Sequence, residues 1–371
     1  MRRQDALGLL FSNMHDDCLM QMTNIRAFGS IPFGGRYRLI DFPLSNMVNA
    51  GISKVGVITK NNYQSLMDHI GSGKAWDLSR KNEGLYFLPP HGAGDQMYAG
   101  RIASLLSITP FLRNSREEYV IMSDCHVVGN IDYELLLQAH IDSGAEITIG
   151  YQRREAPPIS DALTLQVARD GRVNDIRLGY CHEGCECDFG LGLYVMRKDL
   201  LMSLTSEAAS RNQMSFERDV LQQRCDMLRI VGYRVPEYTA VITSLDSYFR
   251  ANLELLRPGV RASLFPVSRP IYTKVRDCSP ALYGLHASVS NSLVADGASI
   301  DGIVTNSVIF RDVHIDKNTR VENCVIMQGS LVGERSELGC VVMDKDVAIR
   351  DGRTLRGFDS YPLFINKGSV V

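Results

Sequence analysis

The chain has 371 residues, 40 Lys and Arg against 42 Asp and Glu, and 45% hydrophobic residues. That length buries a large core and usually divides into two domains, while a net charge of −2 offers no basis for a nucleic-acid-binding surface. No apolar run is long enough to span a bilayer, and nine irregularly spaced cysteines argue for reduced thiols in a cytoplasm.

Met1-Arg2-Arg3-Gln4-Asp5 leads into a short apolar run, residues 6–11, with no small-residue cleavage site behind it. A buried strand is expected there rather than a signal peptide. From this point to about residue 255, strand-like runs at 7–11, 54–59, 118–122, 146–150 and 193–196 alternate with helical patterns. The helices are expected at 45–49, 63–69, 102–112, 133–143 and from 198 onward. Alternation of this kind predicts a mainly parallel sheet with crossover helices. Residues 246–256 predict a closing amphipathic helix with Asp246 as N-cap, stopped by Arg257-Pro258-Gly259.

The stretch 257–285 carries four prolines and reads as a linker. Beyond it, aliphatic residues recur every six positions: Ile309, Ile315, Val321; Ile326, Val332, Leu338; Met343, Ile349, Leu355. Corresponding members of successive triples are 17 apart, and a weaker earlier coil is read at Ser292, Ala298 and Val304. This pattern predicts a parallel β-helix with three short faces per coil and one tightened corner. The predicted domains are therefore 1–256 and 286–371, joined by 257–285.

The most specific string is Pro32-Phe33-Gly34-Gly35-Arg36-Tyr37-Arg38-Leu39-Ile40-Asp41-Phe42-Pro43-Leu44-Ser45-Asn46. A glycine turn, a strand over 37–41 and a helix from about Pro43 are expected. It resembles the P-F-G-G-[KR]-[YF]-R-[IL]-I-D-F-x-L-S-N run of the glucose-1-phosphate adenylyltransferase (ADP-glucose pyrophosphorylase) family. Asn49-Ala50-Gly51-Ile52, Val55-Gly56-Val57-Ile58-Thr59 and Leu245-Asp246-Ser247-Tyr248 carry the same resemblance. It implies an α/β nucleotidyltransferase-like domain followed by a left-handed β-helix.

The reaction the resemblance implies, ATP with glucose 1-phosphate to ADP-glucose and pyrophosphate, needs Mg²⁺ on carboxylates and cations on the phosphates. Position by position, those groups are missing. In the glycine loop, Asn13, Met14 and Asp16 replace glycines, and Cys18 replaces the phosphate arginine. Phe28 stands for a lysine, and Gly100-Arg101-Ile102-Ala103 keeps only the glycine of the adenine-side motif. His126 falls on one metal aspartate and Val241 on the other, while Gly179 and Gly190 replace the sugar-side lysine and serine. The chain thus resembles a non-catalytic, regulatory member of the family, with no catalytic or metal residues of its own. Its implied partner is a catalytic adenylyltransferase subunit in a heterotetramer, which alone would need Mg²⁺. The alternative is an active nucleotidyltransferase with rearranged ligands such as Asp124 and Asp16. A trimeric acyltransferase is a third reading, with His314 as its candidate histidine.

The resemblance also implies a sugar-phosphate effector site between the two domains. Arg38 matches a family effector arginine, and Arg36 is a candidate on the same strand face; solvated strand charges are the competing reading. The β-helix half of that site has no motif, leaving Arg350 and Arg353 as candidates. Cys181-His182-x-x-Cys185-x-Cys187 fits a metal or thiol cluster incompletely. Trp76 and residues 81–94 resemble a mobile substrate-side loop.

Overall fold

A computed structural model describes residues 5–81, 83–89, 100–155, 157, 159, 161–179 and 185–371. The strand Ala6–Phe11 is buried at every position and lies between Lys54–Ile58 and Tyr119–Asp124, parallel to both. Gly84–Leu88 extends the parallel set on one side. On the other, the 12-residue strand Glu186–Arg197 runs antiparallel to Tyr119–Asp124, Ile147–Glu155 and Leu163–Val167. The sheet is therefore mixed, as one long return strand ties the parallel half to an antiparallel half.

Both faces are covered. Leu7, Leu9 and Phe11 point into one apolar cluster with Met122, Tyr194 and Phe216. Ala6 and Leu10 point into the other, with Phe33, Phe42, Trp76 and Tyr248. This two-residue alternation inside an all-apolar run is what a doubly covered strand requires.

Several expected elements are adjusted by local chemistry. The helix expected over 102–112 is two, Arg101–Ser107 and Thr109–Arg113, with Pro110 opening the second. The strand expected over 37–41 is only Tyr37–Arg38, because the following helix already starts at Asp41, with Pro43 in its first turn, where a missing N–H costs nothing. The closing helix is Leu245–Glu254, and its cap is Ser244 rather than Asp246. Ser244 and Ser247 exchange hydrogen bonds in a capping box, which frees Asp246 to pair with Arg250. Pro258 opens a further helix, Pro258–Leu264. Trp76 is not in a mobile loop: it is buried, with its indole N–H donated to Ser45 Oγ at 3.2 Å. Gly84–Leu88 is a sheet strand, and residues 90–94 lie outside the described residues.

The C-terminal region is a left-handed parallel β-helix of three five-stranded sheets. Ile309, Ile326 and Met343 pair in register, as do Ile315, Val332 and Ile349, and Val321, Leu338 and Leu355. The corners explain the six-residue period. Asn306, Asn323 and Cys340 hold positive φ at one corner, Asp312, Gly329 and Asp346 at the second, and Asn318, Arg335 and Gly352 at the third. Asn and Asp visit this left-handed region more readily than other side chains. The first of these corners is the tight one, only Asn323-Cys324 between strands Arg320–Glu322 and Val325–Ile326. The earlier coil differs from expectation at two faces. Val294 and Ile300, not Ser292 and Ala298, pair with Ile309 and Ile315, while Val304 does pair with Val321. Only Asp301-Gly302 joins two of its strands where the next coil has four residues, so its register runs two residues short.

Val308, Phe310, Val325, Met327 and Val342 on one flank of the β-helix belong to the same apolar cluster as Phe33 and Tyr248. The hairpin of Pro32–Phe33 and Tyr37–Arg38 is wedged at this junction, its turn made by Gly34 and Gly35 at φ of 59° and 84°. Tyr248 donates its hydroxyl to Pro32 O at 2.6 Å, and Arg26 pairs with Asp344 at 2.8 Å, both side chains buried.

Candidate functional site

Two places bring together residues singled out in the sequence: the pocket at the carboxyl ends of the parallel strands, and the cleft at the domain junction.

The pocket is built on Asp124, the last residue of Tyr119–Asp124. Arg101 reaches it from the first turn of its helix and makes two parallel hydrogen bonds of 2.8 Å, Nη1 to Oδ1 and Nη2 to Oδ2. Its Nε donates to Glu217 Oε1, also at 2.8 Å. The guanidinium carbon lies 4.4 Å from the Phe11 ring centre and 5.5 Å from that of Tyr194. Arg101 and Asp124 are only 3% and 2% exposed, so this is an internal ion pair. Burial opposes the Asp124 charge, yet Arg101 and then His15 hold its carboxyl well below the usual carboxylate range. His15 Nε2 lies 3.2 Å from Asp124 Oδ2, and burial together with the neighbouring His15 holds His126 well below its ordinary value.

The backbone is shaped around these groups. A bulge between Gly190 and Leu193 sets Gly192 at φ 64°, and a Cβ there would stand 2.7 Å from Asp124 Oδ2 and 3.0 Å from His126 Cε1. Val241 pairs with Val127 in a short antiparallel ladder and is buried. Asp16 is turned toward its own loop, accepting from Asn13 Nδ2 and from the Phe28 N–H. The cavity left among His15, Arg101, Asp124, His126 and Glu217 is about 110 Å³. Small-molecule sites usually run ~300–1,000 Å³, so this one is too small for a nucleotide sugar. Mg²⁺ wants near-octahedral oxygen ligands. The donors here are two imidazoles, Asp161, Glu217 bound by Arg101 Nε, and Asp124 engaged on both oxygens by Arg101, with Val241 offering none. This set does not fit Mg²⁺, and no chemical step can be routed through it.

The cleft has the opposite character. Arg36 and Arg38 both line it, together with Lys274, Arg276, Arg311 and Lys345. Arg36 sits in the hairpin turn rather than on the strand, and is exposed. Arg38 is 8% exposed and donates to the Ser65 carbonyl and hydroxyl at 2.5 and 2.8 Å. The β-helix half comes from Arg311 and Lys345; Arg350 and Arg353 are exposed and do not line it. Arg311 Nε is buried without a hydrogen-bond partner. Burial, then Arg38 and Arg26, bring the Lys345 amine down to about 7, and burial lowers Arg38 to about 10. Among the described residues no carboxylate lines the cleft; Asp41 is engaged by His69 at 2.6 Å, and the exposed Asp296 lies 3.8 Å from Arg311 Nη2. Six crowded cations with so little facing acid make an anion site. The enclosed space is about 30 Å³, the size of a water, so an anion enters only by moving exposed side chains such as Arg36.

Four of these six cations carried no sequence signal, because they come from three separate segments that only folding brings together. Of the cysteine motif, Cys181 and His182 lie outside the described residues; Cys185 is exposed, and Cys187 Sγ faces the Arg154 carbonyl at 3.6 Å.

With this geometry in hand, comparison with known proteins is informative. Residues 18–159 match the family described as nucleotidyl transferase, and residues 282–361 the GlmU-like C-terminal hexapeptide family. The chain is 35% identical over 371 residues to the glycogen biosynthesis protein GlgD of Bacillus subtilis, covering 100% of this chain and 98% of that one. It is 36% identical to the GlgD of Geobacillus stearothermophilus, covering 98% and 96% of the two chains. Identity to a glucose-1-phosphate adenylyltransferase of Bacillus cytotoxicus is 28%, over 96% of both chains. An α/β domain with its strand-end charges internally paired, a β-helix behind it and full-length similarity at this level lead to one assignment: the chain belongs to the GlgD group of the glucose-1-phosphate adenylyltransferase family.

Proposed function

We propose that this chain is a regulatory, catalytically inactive subunit of a cytoplasmic ADP-glucose pyrophosphorylase hetero-oligomer in glycogen biosynthesis. The observation that carries this reading is the Arg101–Asp124 pair. Both oxygens of the strand-end carboxylate are engaged by an internal guanidinium, and no second carboxylate stands at Val241 to complete a Mg²⁺ site. A catalytic partner subunit supplies the active sites and their Mg²⁺. This chain responds to a sugar-phosphate effector in the cleft of Arg36 and Arg38 and passes the effect on as a coupling free energy between sites. The exposed Leu285, Phe358 and Tyr361 on the β-helix support its use in assembly.

The test is ADP-glucose synthesis by this chain, by the catalytic chain and by their mixture. The reading predicts silence from this chain alone and a raised rate or altered effector response in the mixture. Turnover by this chain alone with Mg²⁺ would favour the second reading, an active enzyme that has relocated its ligands to Asp124 and Asp16. That reading requires Arg101 to release Asp124.

A further inference from the structure

The geometry points to a binding site for a transition-metal dication of the Zn²⁺ class, held by His15, Asp124 and His126. One ligand atom from each residue lies within 4.8 Å of the other two. The three come from separate segments: the loop after Ala6–Phe11, the end of Tyr119–Asp124, and the turn before Val127–Gly129. The imidazole rings of His15 and His126 are 4.0 Å apart between centres. His126 is 4% exposed, and its Nδ1 is buried without a hydrogen-bond partner.

Two imidazoles and one carboxylate match zinc, copper or nickel, not Mg²⁺. Arg101 does not close the site. Each carboxylate oxygen accepts more than one bond, and the ion takes the place of the proton between His15 Nε2 and Asp124 Oδ2. His15 then binds as neutral imidazole, and its proton leaves to solvent. Arg101 faces two carboxylates, Asp124 and Glu217, and His15 lies against Asp124 as well, so the ion enters in exchange for the His15 proton. Three protein ligands leave a fourth position open to the 110 Å³ cavity, which has room for a water. The ion would tie the loop at His15 to the sheet and close the pocket further. This inference stands apart from the regulatory reading, whose fate does not affect it.

The experiment is titration of the chelator-treated full chain with Co²⁺, followed by displacement with Zn²⁺ and a challenge with a large excess of Mg²⁺. One ion per chain is expected, with ligand-field bands, no thiolate charge-transfer band, and no displacement by Mg²⁺. His15→Gln and His126→Gln should each weaken binding at least ~10-fold, the lower range found for the loss of even a supporting group. The double variant Cys185→Ser, Cys187→Ser should bind as the parent does. Circular dichroism of the metal-free variants checks their fold. If His126→Gln fails to fold, the partly exposed His15 and the parent's own thiolate-free spectrum decide. Absence of saturable binding, a thiolate band, or undiminished binding by the histidine variants overturns the site.

Discussion

The strand-end pocket and the junction cleft are both charged, and they differ in where the opposite charge comes from. In the pocket it is internal: Arg101 answers Asp124 and Glu217 through three hydrogen bonds of 2.8 Å. In the cleft, six cations converge with only the exposed Asp296 near Arg311, and burial, then Arg38 and Arg26, take much of the basicity of Lys345. A paired site has little left to attract a phosphate, whereas a largely unpaired cluster of cations gains most from binding an anion.

The contrast is most exposed at Arg101. Arg101→Ala leaves the buried Asp124 and the part-exposed Glu217 without this cation, and should cost about 3–5 kcal/mol in denaturant unfolding. A change below ~1 kcal/mol would mean that the pocket is wet and its charges independent. In the cleft, Arg38→Ala or Arg311→Ala should weaken binding of a hexose bisphosphate by about 1.5–3 kcal/mol, roughly 10- to 100-fold, measured by calorimetry. The same probe should be indifferent to Met14→Ala in the pocket.

A subtler effect follows from Lys345, whose amine is charged below about 7 and neutral above. A bound anion favours the charged form, so binding above that pH draws in a proton. Anion affinity should be greatest below pH 7 and fall by up to about tenfold per pH unit above it. Lys345→Arg should flatten this dependence; an unchanged slope would remove Lys345 from the site. Smallest of all, Asn323→Ala at its corner, φ 49°, should cost about 1 kcal/mol, read as a lowered midpoint for the β-helix transition, whereas Asn323→Gly should cost less.

The β-helix was the most legible part of the sequence, because Ile315, Val332 and Ile349 are each fixed by the same inward geometry repeated every 17 residues. Its first coil was misread at Ser292 and Ala298 because a two-residue shortening between its second and third strands is invisible without the pairing. In the sequence Asp246 looks like a cap because one acid before an apolar run looks like another; the Ser244–Ser247 reciprocity is a matter of geometry. At the sites, Arg36 and Arg38 stood in a recognisable string, but Lys274, Arg276, Arg311 and Lys345 did not. Arg101 was legible as a departure from a motif. Its role as the counter-ion of Asp124, 23 positions away, emerges only when strand and helix meet.

The short corner at Asp301-Gly302 has a consequence for how this solenoid tolerates change. Its coil is two residues shorter than its neighbours, yet Ile300 and Val304 still stack on Ile315 and Val321. Length variation is absorbed in the corner between two strands, and the stacked faces do not register it. A short epitope inserted at the equivalent corner of the next coil, between Lys317 and Asn318, should therefore be carried as a surface bulge. The same insertion between Val325 and Ile326 would turn an inward row outward and unstack the coils above and below it.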